Sequence, residues 1–519
     1  MRSLWNESEA ARCGSMLELR AYTSRLLGTD PSLVLQGGGN TSLKSVWSVA
    51  GEPPVDCLYV KGSGADLAQV GPDDFTPLRR APLGALLDGP TLDNNALMAA
   101  LAPVQLRPDA PRPSIETLLH AAIPQPYVEH THADAVLAVV NTADGRRRAR
   151  DVFGERAPVV PFRHSGFELA AACRTTWQRE ATAQTIGLIL EFHGVVAFGP
   201  DARTAYENMI TLVDRAETYL QRRGAWTLAR ADAPVFDFDA ALRMARLRRA
   251  LSIAAGFPLV LHRDADPEVI AFIQRPDLSV LAQQGPPTPQ HAVFTKRLPL
   301  LDGDVAAYVG RYRSVLRRFA PTDRPSQQLP DPAPRVVLDP ILGLVAASVD
   351  GPHARITAEI YRHDIAIMSR AAGHDRYRSL DDEAFLLAEI HYGGFDRRLR
   401  AAAPSSKPLL GVVVAMPDDL GPDWCAAVEA SGAERIPMKP GDSPAALAAR
   451  HGGVDVVIDP DRRFTGIRGL VELVGASPFT PTWVGSAPGA VPAAWRMPMA
   501  DPAAVIESLR ARTQILSAA

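Results

Sequence analysis

Over residues 1–230 short apolar runs rich in β-branched residues alternate with amphipathic segments of helical spacing. That alternation restricts this part of the chain to an α/β layered architecture. The segment "SMLELRAYTSRLLG" has the apolar spacing of a helix and ends at a glycine cap. "PSLVLQGGGNTSLK" reads as a short apolar strand that meets three glycines, and "VDCLYVKGSG" repeats the pattern. "IETLLHAAI" reads as a helix and "YVEHTHADAVLAVVN" as a strand running into a helix. "TIGLILEFHGVVAFG" reads as a strand or hairpin, and "DARTAYENMITLVDRAETYLQRR" as a long helix.

A chain of 519 residues exceeds one ordinary domain, and three parts are expected. Residues 1–230 form the α/β layered domain. Residues 231–403 are expected to be a mainly helical extension, broken by proline-rich stretches such as "QQGPPTPQHAVFTKRLP" and "APTDRPSQQLPDPAPRVVLDP". The second stretch is expected to run extended over the surface. Residues 405–519 restart with the apolar strand "LLGVVVAM", followed by "VDVVID" and "TPTWVG", and are expected to form a small α/β domain. That strand leads to no GxGxxG turn, and no tyrosine follows Tyr392. A dinucleotide-binding dehydrogenase of the Tyr-x-x-x-Lys type is therefore not expected there.

Composition removes several classes of function. A net charge of −3 offers no global basic field for nucleic acid or an anionic membrane. The four cysteines lie far apart without a CxxC, so neither a disulfide scaffold nor a zinc ribbon is indicated. The first residues carry charges where a signal peptide needs its apolar core, and no apolar run is long enough to span a membrane. A soluble, cytoplasmic protein is expected. Only five lysines occur among 55 basic residues, namely Lys44, Lys61, Lys296, Lys407 and Lys439, so each one draws attention.

In "VEHTHADAVLAVVN" two histidines occupy alternate positions, so His130 and His132 project from one face while Thr131 points away. Two imidazoles one pleat apart can hold one ion, and His193 in "LILEFHGVVAFG" is the best candidate for a third ligand. Taken alone, the pair reads more readily as core or surface histidines with ordinary hydrogen bonds. "GGGNTS" (Gly37 to Ser42) and "KGSG" (Lys61 to Gly64) are turns whose amides could surround an anion, with Lys44 and Lys61 as charge donors. In "RPSIETLLHA", Ser114 reads as the N-cap of a helix beginning at Ile115. Glu116 then falls in the first turn, as a dipole partner or as an acid–base group facing the metal. Glu129 points to the opposite face of its strand and reads as a surface or interface carboxylate.

The ordered set "GGGNTS", "KGSG", "SIE", "HTH" and "FHG" resembles the class II aldolase/adducin family. It is most similar to the aldolase part of the bifunctional rhamnulose-phosphate aldolase/short-chain dehydrogenase proteins. The likeness continues through "GPPTPQHAVFTKRLPL", "PRVVLDPILGL" and "ITAEIYRHDI". The resemblance implies a central β-sheet flanked by helices and a homotetramer with active sites between subunits. It implies zinc, or another divalent ion such as manganese or cobalt, on His130, His132 and His193, with Glu116 as the catalytic acid–base. Asn40, Ser63, Gly64 and Ser114 match the family's phosphate-binding positions, and Gly39 and Lys61 from the two turns join them. Ile115 departs from the second hydroxyl often found there in sugar-phosphate aldolases, which leaves open whether the substrate is phosphorylated.

The chemistry implied is reversible cleavage of a carbon–carbon bond in a ketose 1-phosphate or related sugar through a metal-stabilised enediolate. For that role burial is expected to lift the Glu116 pKa toward neutrality. The same machinery serves epimerases, dehydratases and decarboxylases, and adducin-like relatives use the fold without catalysis. A Schiff-base aldolase would need a buried lysine nucleophile, and Lys44 and Lys61 sit in turns better suited to anions. His291, Lys296 and Arg297 are expected either at an active-site mouth or in solvated loops.

Overall fold

The fold is described from a computed structural model covering residues 1–513 apart from 50, 52, 321–328, 392–406, 440 and 462–466. Residues 321–328 of the proline-rich stretch expected to run over the surface lie outside the described residues; its described remainder is instead largely buried and ends in a buried strand, Val336–Asp339. Contacts divide the chain into two compact units, 1–228 with 366–380, and 229–365 with 381–519.

The first unit is built on a seven-stranded sheet. Its strands are β1 (Asn40–Trp47), β2 (Val55–Lys61), β3 (Phe75–Arg79), β4 (Tyr127–Thr131), β5 (Val159–Val160), β6 (Gly187–Leu190) and β7 (Gly194–Gly199). They lie in the order β3-β2-β1-β4-β7-β6-β5. Every pair is antiparallel except β5 with β6. The flanking helices include α1 (Met16–Gly28), α2 (Thr117–Ala122), α3 (Asp134–Val140), α4 (Phe167–Glu180) and α5 (Ala202–Arg222). The expected central sheet flanked by helices is what the chain forms.

Two apolar clusters cover the sheet's two faces. One gathers Ala21 and Leu27 of α1, Val136 of α3 and Met209 and Val213 of α5 around Val195 and Ala197. The other gathers Leu118 and Leu119 of α2 and Ala170 of α4 around Leu58, Val60, Val128, Val196 and Phe198. Strand residues of one parity thus pack on one face and their neighbours on the other. In β4 this puts His130 on the face of Val128, while Thr131 Oγ1 donates to Met209 Sδ at 3.3 Å on the opposite face.

Two local expectations shift. The strand expected before the three glycines forms after them: residues 31–33 make a turn and β1 starts at Asn40. The helix expected from Ile115 begins at Thr117, because Ser114 Oγ accepts the Glu116 N–H at 3.2 Å and holds that residue outside the helix.

The second unit contains a helix Phe238–Ala255, α6, and others as expected, but also an antiparallel sheet of β8 (Val260–Asp264), β9 (Val336–Asp339) and β10 (Gly343–Ser348), in the order β8-β10-β9. Its last part is an α/β arrangement with a wholly parallel sheet. The strands are β11 (Val413–Pro417), β12 (Glu434–Met438), β13 (Val456–Asp459), β14 (Thr482–Gly485) and β15 (Arg496–Met497), ordered β12-β11-β13-β14-β15. That is a doubly wound order.

Candidate metal centre

β4 is buried along its whole length between β1 and β7, and one row across the sheet reads Asn40, His130, Val196. His132 follows the strand, with its backbone N–H donating to Leu33 O at 3.0 Å. His193 sits in the turn joining β6 to β7, where its N–H donates to Leu190 O at 3.2 Å. That turn requires Phe192 at φ 53°, a conformation side chains rarely adopt, followed by Gly194. A Cβ on Gly194 would lie 2.2 Å from Thr131 O, so only glycine lets the turn close against β4. The local strain at Phe192 is of a kind that clusters at functional sites.

The three imidazoles converge. His130 Nε2 is 3.1 Å from His132 Nε2 and 3.2 Å from His193 Nε2, and one ligand atom from each lies within 4.8 Å of the others. Tetrahedral nitrogens about 2.0–2.1 Å from a zinc ion stand roughly 3.3 Å apart, close to the spacing found. His130 Nδ1 is 3.0 Å from Val195 O, so Nδ1 carries the proton and the Nε2 lone pair turns toward the other two rings. Burial pushes the His130 pKa down to about 4. The donor set therefore fits a divalent cation.

Glu116 closes the cluster. Its Oε1 is 3.1 Å from His193 Nε2 and its Oε2 is 3.5 Å from His130 Nε2. Asn40 Nδ2 donates to Oε2 at 2.6 Å and Ser165 Oγ to Oε1 at 3.1 Å. Burial alone would raise its pKa, as the sequence led us to expect. His130, His193 and the hydrogen bonds from His193 and Asn40 outweigh it and hold the carboxyl well below the usual range. That direction is the opposite of the lift toward neutrality that the sequence suggested. Ser114 Oγ accepts from Asn40 Nδ2 at 3.2 Å and so sits beside it.

The two glycine turns face each other, a Cβ on Gly37 being 3.4 Å from Gly64 O. Lys61 is buried and ties them together, its Nζ donating to Gly37 O at 3.2 Å and Ala65 O at 2.6 Å. Burial lowers its pKa to about 8. Ser63 and Gly64 are exposed. The N–H groups of Gly38, Gly62, Ser63 and Ala65 already donate to carbonyls, so the turns have fewer free amides than their composition promised. Lys44 does not serve a turn at all: its Nζ donates to His120 O and Gln125 O. Gly39 is fixed by close approach, since a Cβ there would lie 2.7 Å from His130 O, and its φ is 59°.

Glu129 is not a surface carboxylate. It is wholly buried and paired with the equally buried Arg20 of α1 at 2.8 Å. His291, Lys296 and Arg297 lie in the second unit, where His291 Nδ1 meets Asp364 Oδ1 at 2.6 Å and Arg297 Nη1 meets Asp382 Oδ1 at 2.5 Å. Two residues of the cluster went unnoticed in the sequence. Ser165 gave no signal there. His120 did, because it lies four residues after Glu116 and so on the same helical face.

Residues 18–220 match the family described as class II aldolase and adducin N-terminal domain, and residues 239–396 the family described as aldolase class II, second domain. The N-terminal class II aldolase domain of a conserved protein from Thermoplasma acidophilum is 32% identical, with 42% of this chain and 99% of that one covered and a TM-score of 0.39. The chain belongs to the class II aldolase and adducin family. The uncharacterized oxidoreductase YuxG of Bacillus subtilis (strain 168) is 27% identical over 410 residues, and the alignment covers 74% of this chain. This class II aldolase family member spans 58% of the length of that curated relative. L-fuculose-1-phosphate aldolase from Thermus thermophilus is 17% identical, with 41% of this chain and 96% of that one covered and a TM-score of 0.27.

Proposed function

We propose that the chain is a metal-dependent aldolase-type lyase acting on a ketose 1-phosphate or related sugar. The observation that carries this reading is the convergence of three buried histidine nitrogens on one point, with the Glu116 carboxylate 3.1 Å from one and 3.5 Å from another. His130, His132 and His193 would hold a divalent ion, zinc, manganese or cobalt. Such an ion supplies Lewis-acid stabilisation of the negative charge that develops on the substrate's oxygens when the carbon–carbon bond breaks.

Glu116 is the acid–base group. In the synthesis direction its carboxylate takes the proton from the carbon next to the carbonyl, and in cleavage it returns that proton to the same carbon. Asn40 and Ser165 hold one oxygen each, so the carboxylate presents a fixed lone pair instead of rotating. Burial of the cluster excludes water from the proton while it is on Glu116. Gly39, Asn40, Ser63, Gly64, Ser114 and Lys61 would bind the sugar or its phosphate, Lys61 by bracing the two turns rather than by direct contact. The same proton transfer serves an epimerase, dehydratase or decarboxylase, and a module that only binds would need none of it. Family likeness further suggests a cytoplasmic homotetramer, a state that light scattering on the purified chain would measure.

The test is a panel of ketose 1-phosphates assayed for release of the three-carbon fragment, with the divalent ions supplied in turn. We expect turnover that chelation abolishes. Glu116→Gln should lower kcat by about 10²–10⁴-fold, the usual worth of a positioned acid–base group. Full activity in Glu116→Gln, or activity that resists chelation, would overturn the assignment.

A further inference from the structure

His120 is wholly buried on α2, one turn beyond Glu116. Its Nδ1 lies 2.8 Å from Ser42 Oγ, and its Nε2 contacts Asn40 Oδ1. Lys44 Nζ donates to its carbonyl at 2.9 Å and anchors the backbone there. A chain of side chains thus runs from Ser42 through His120 and Asn40 to Glu116.

The polarity of that chain follows from its end. The Asn40 atom 2.6 Å from Glu116 Oε2 and 3.2 Å from Ser114 Oγ is the amide nitrogen, which donates to both oxygens. The opposite atom, Oδ1, is then an acceptor and needs a donor. His120 Nε2 must therefore carry a proton, and in a neutral ring Nδ1 must accept from the Ser42 hydroxyl. Burial holds the ring neutral, well below its ordinary pKa. Every hydrogen bond in the series points toward Glu116, an alignment in which each bond polarises the next.

We propose that His120 is a positioning residue: as the Nε2–H tautomer it fixes the Asn40 amide with its N–H toward Glu116. Were His120 to carry its proton on Nδ1, Asn40 could satisfy it only by turning its carbonyl toward the carboxylate, where two acceptors would repel. This inference rests on the reading of Glu116 as the acid–base group.

The first experiment needs no substrate. In the full chain labelled with ¹⁵N-histidine, the ring nitrogens of His120 are identified by their loss in His120→Gln. The expected spectrum is a neutral ring protonated at Nε2. A ring protonated at Nδ1, or charged at neutral pH, would overturn the proposal even if the protein proved not to be an aldolase. The second experiment uses the metal-loaded enzyme. His120→Phe should lower kcat by about tenfold, the worth of one lost hydrogen bond to a charged-group network, with KM and metal content unchanged. His120→Gln, whose amide N–H can reach Asn40, should recover most of that loss. Unchanged kcat in His120→Phe, or no recovery in His120→Gln, would contradict it.

Discussion

Among single residues the buried lysines give the most direct check on how the first unit is held together. Burial lowers Lys44 to about 7 and Lys61 to about 8, against about 10.4 in an unfolded chain. Between those values the unfolded chain binds more protons, so stability contributed by these groups rises as pH rises from about 7. Thermal melts at pH 7 and 8.5 should show that rise, and Lys44→Met, which removes the buried amine, should make it smaller. An equal rise in Lys44→Met would show that Lys44 keeps its ordinary pKa. The sequence singled out both lysines by their rarity, but as anion donors. Their actual partners are carbonyls of Gly37, His120 and Gln125, brought near by folding from outside each lysine's own turn, and the local carbonyl of Ala65. Glu129 was misjudged for the same reason, because Arg20 is 109 positions away.

At the scale of elements, the strand β4 and the turns against it decide whether the histidines meet. The alternation in "EHTH" made the shared face of His130 readable from the strand period alone, and the apolar run around His193 made the β6–β7 hairpin readable. The glycines were harder. They read as anion-binding turns, whereas Gly39 is required because β1 enters directly beside His130 O. Gly39→Ala should therefore cost about 1–3 kcal/mol, from a positive φ and a backbone clash together. Chemical denaturation measures that cost, and a loss under half a kcal/mol would mean that the strands can separate freely there. The start of α2 was misread by two residues because a serine side chain, not helical periodicity, decides where Glu116 stops and the helix begins.

For the molecule as a whole, the second unit has its own buried anchor. Arg248 of α6 donates to both oxygens of Asp455, just before β13, at 2.8 and 2.7 Å. Val413 N–H and Ser477 Oγ complete that carboxylate, while Leu259 O and Gly411 O take two further guanidinium donors. Removing one partner would leave a buried charge uncompensated, so Asp455→Ala should destabilise the protein by about 3–5 kcal/mol, read from denaturant unfolding. The strands β11, β13 and β14 were legible as apolar runs after "SSKP", but the antiparallel sheet was not, because the β9–β10 hairpin lies in a proline-rich stretch and β8 reaches β10 only across several intervening helices. Among the described residues no helix is long and apolar enough to cross a membrane. The central claim concerns the three histidines, and elemental analysis of the purified chain before and after dialysis against chelator tests it most directly. The account predicts about one divalent ion per chain, removed by chelator, restored on adding the metal back, and absent in His130→Ala. A wild-type chain that holds no metal and takes none up would contradict it.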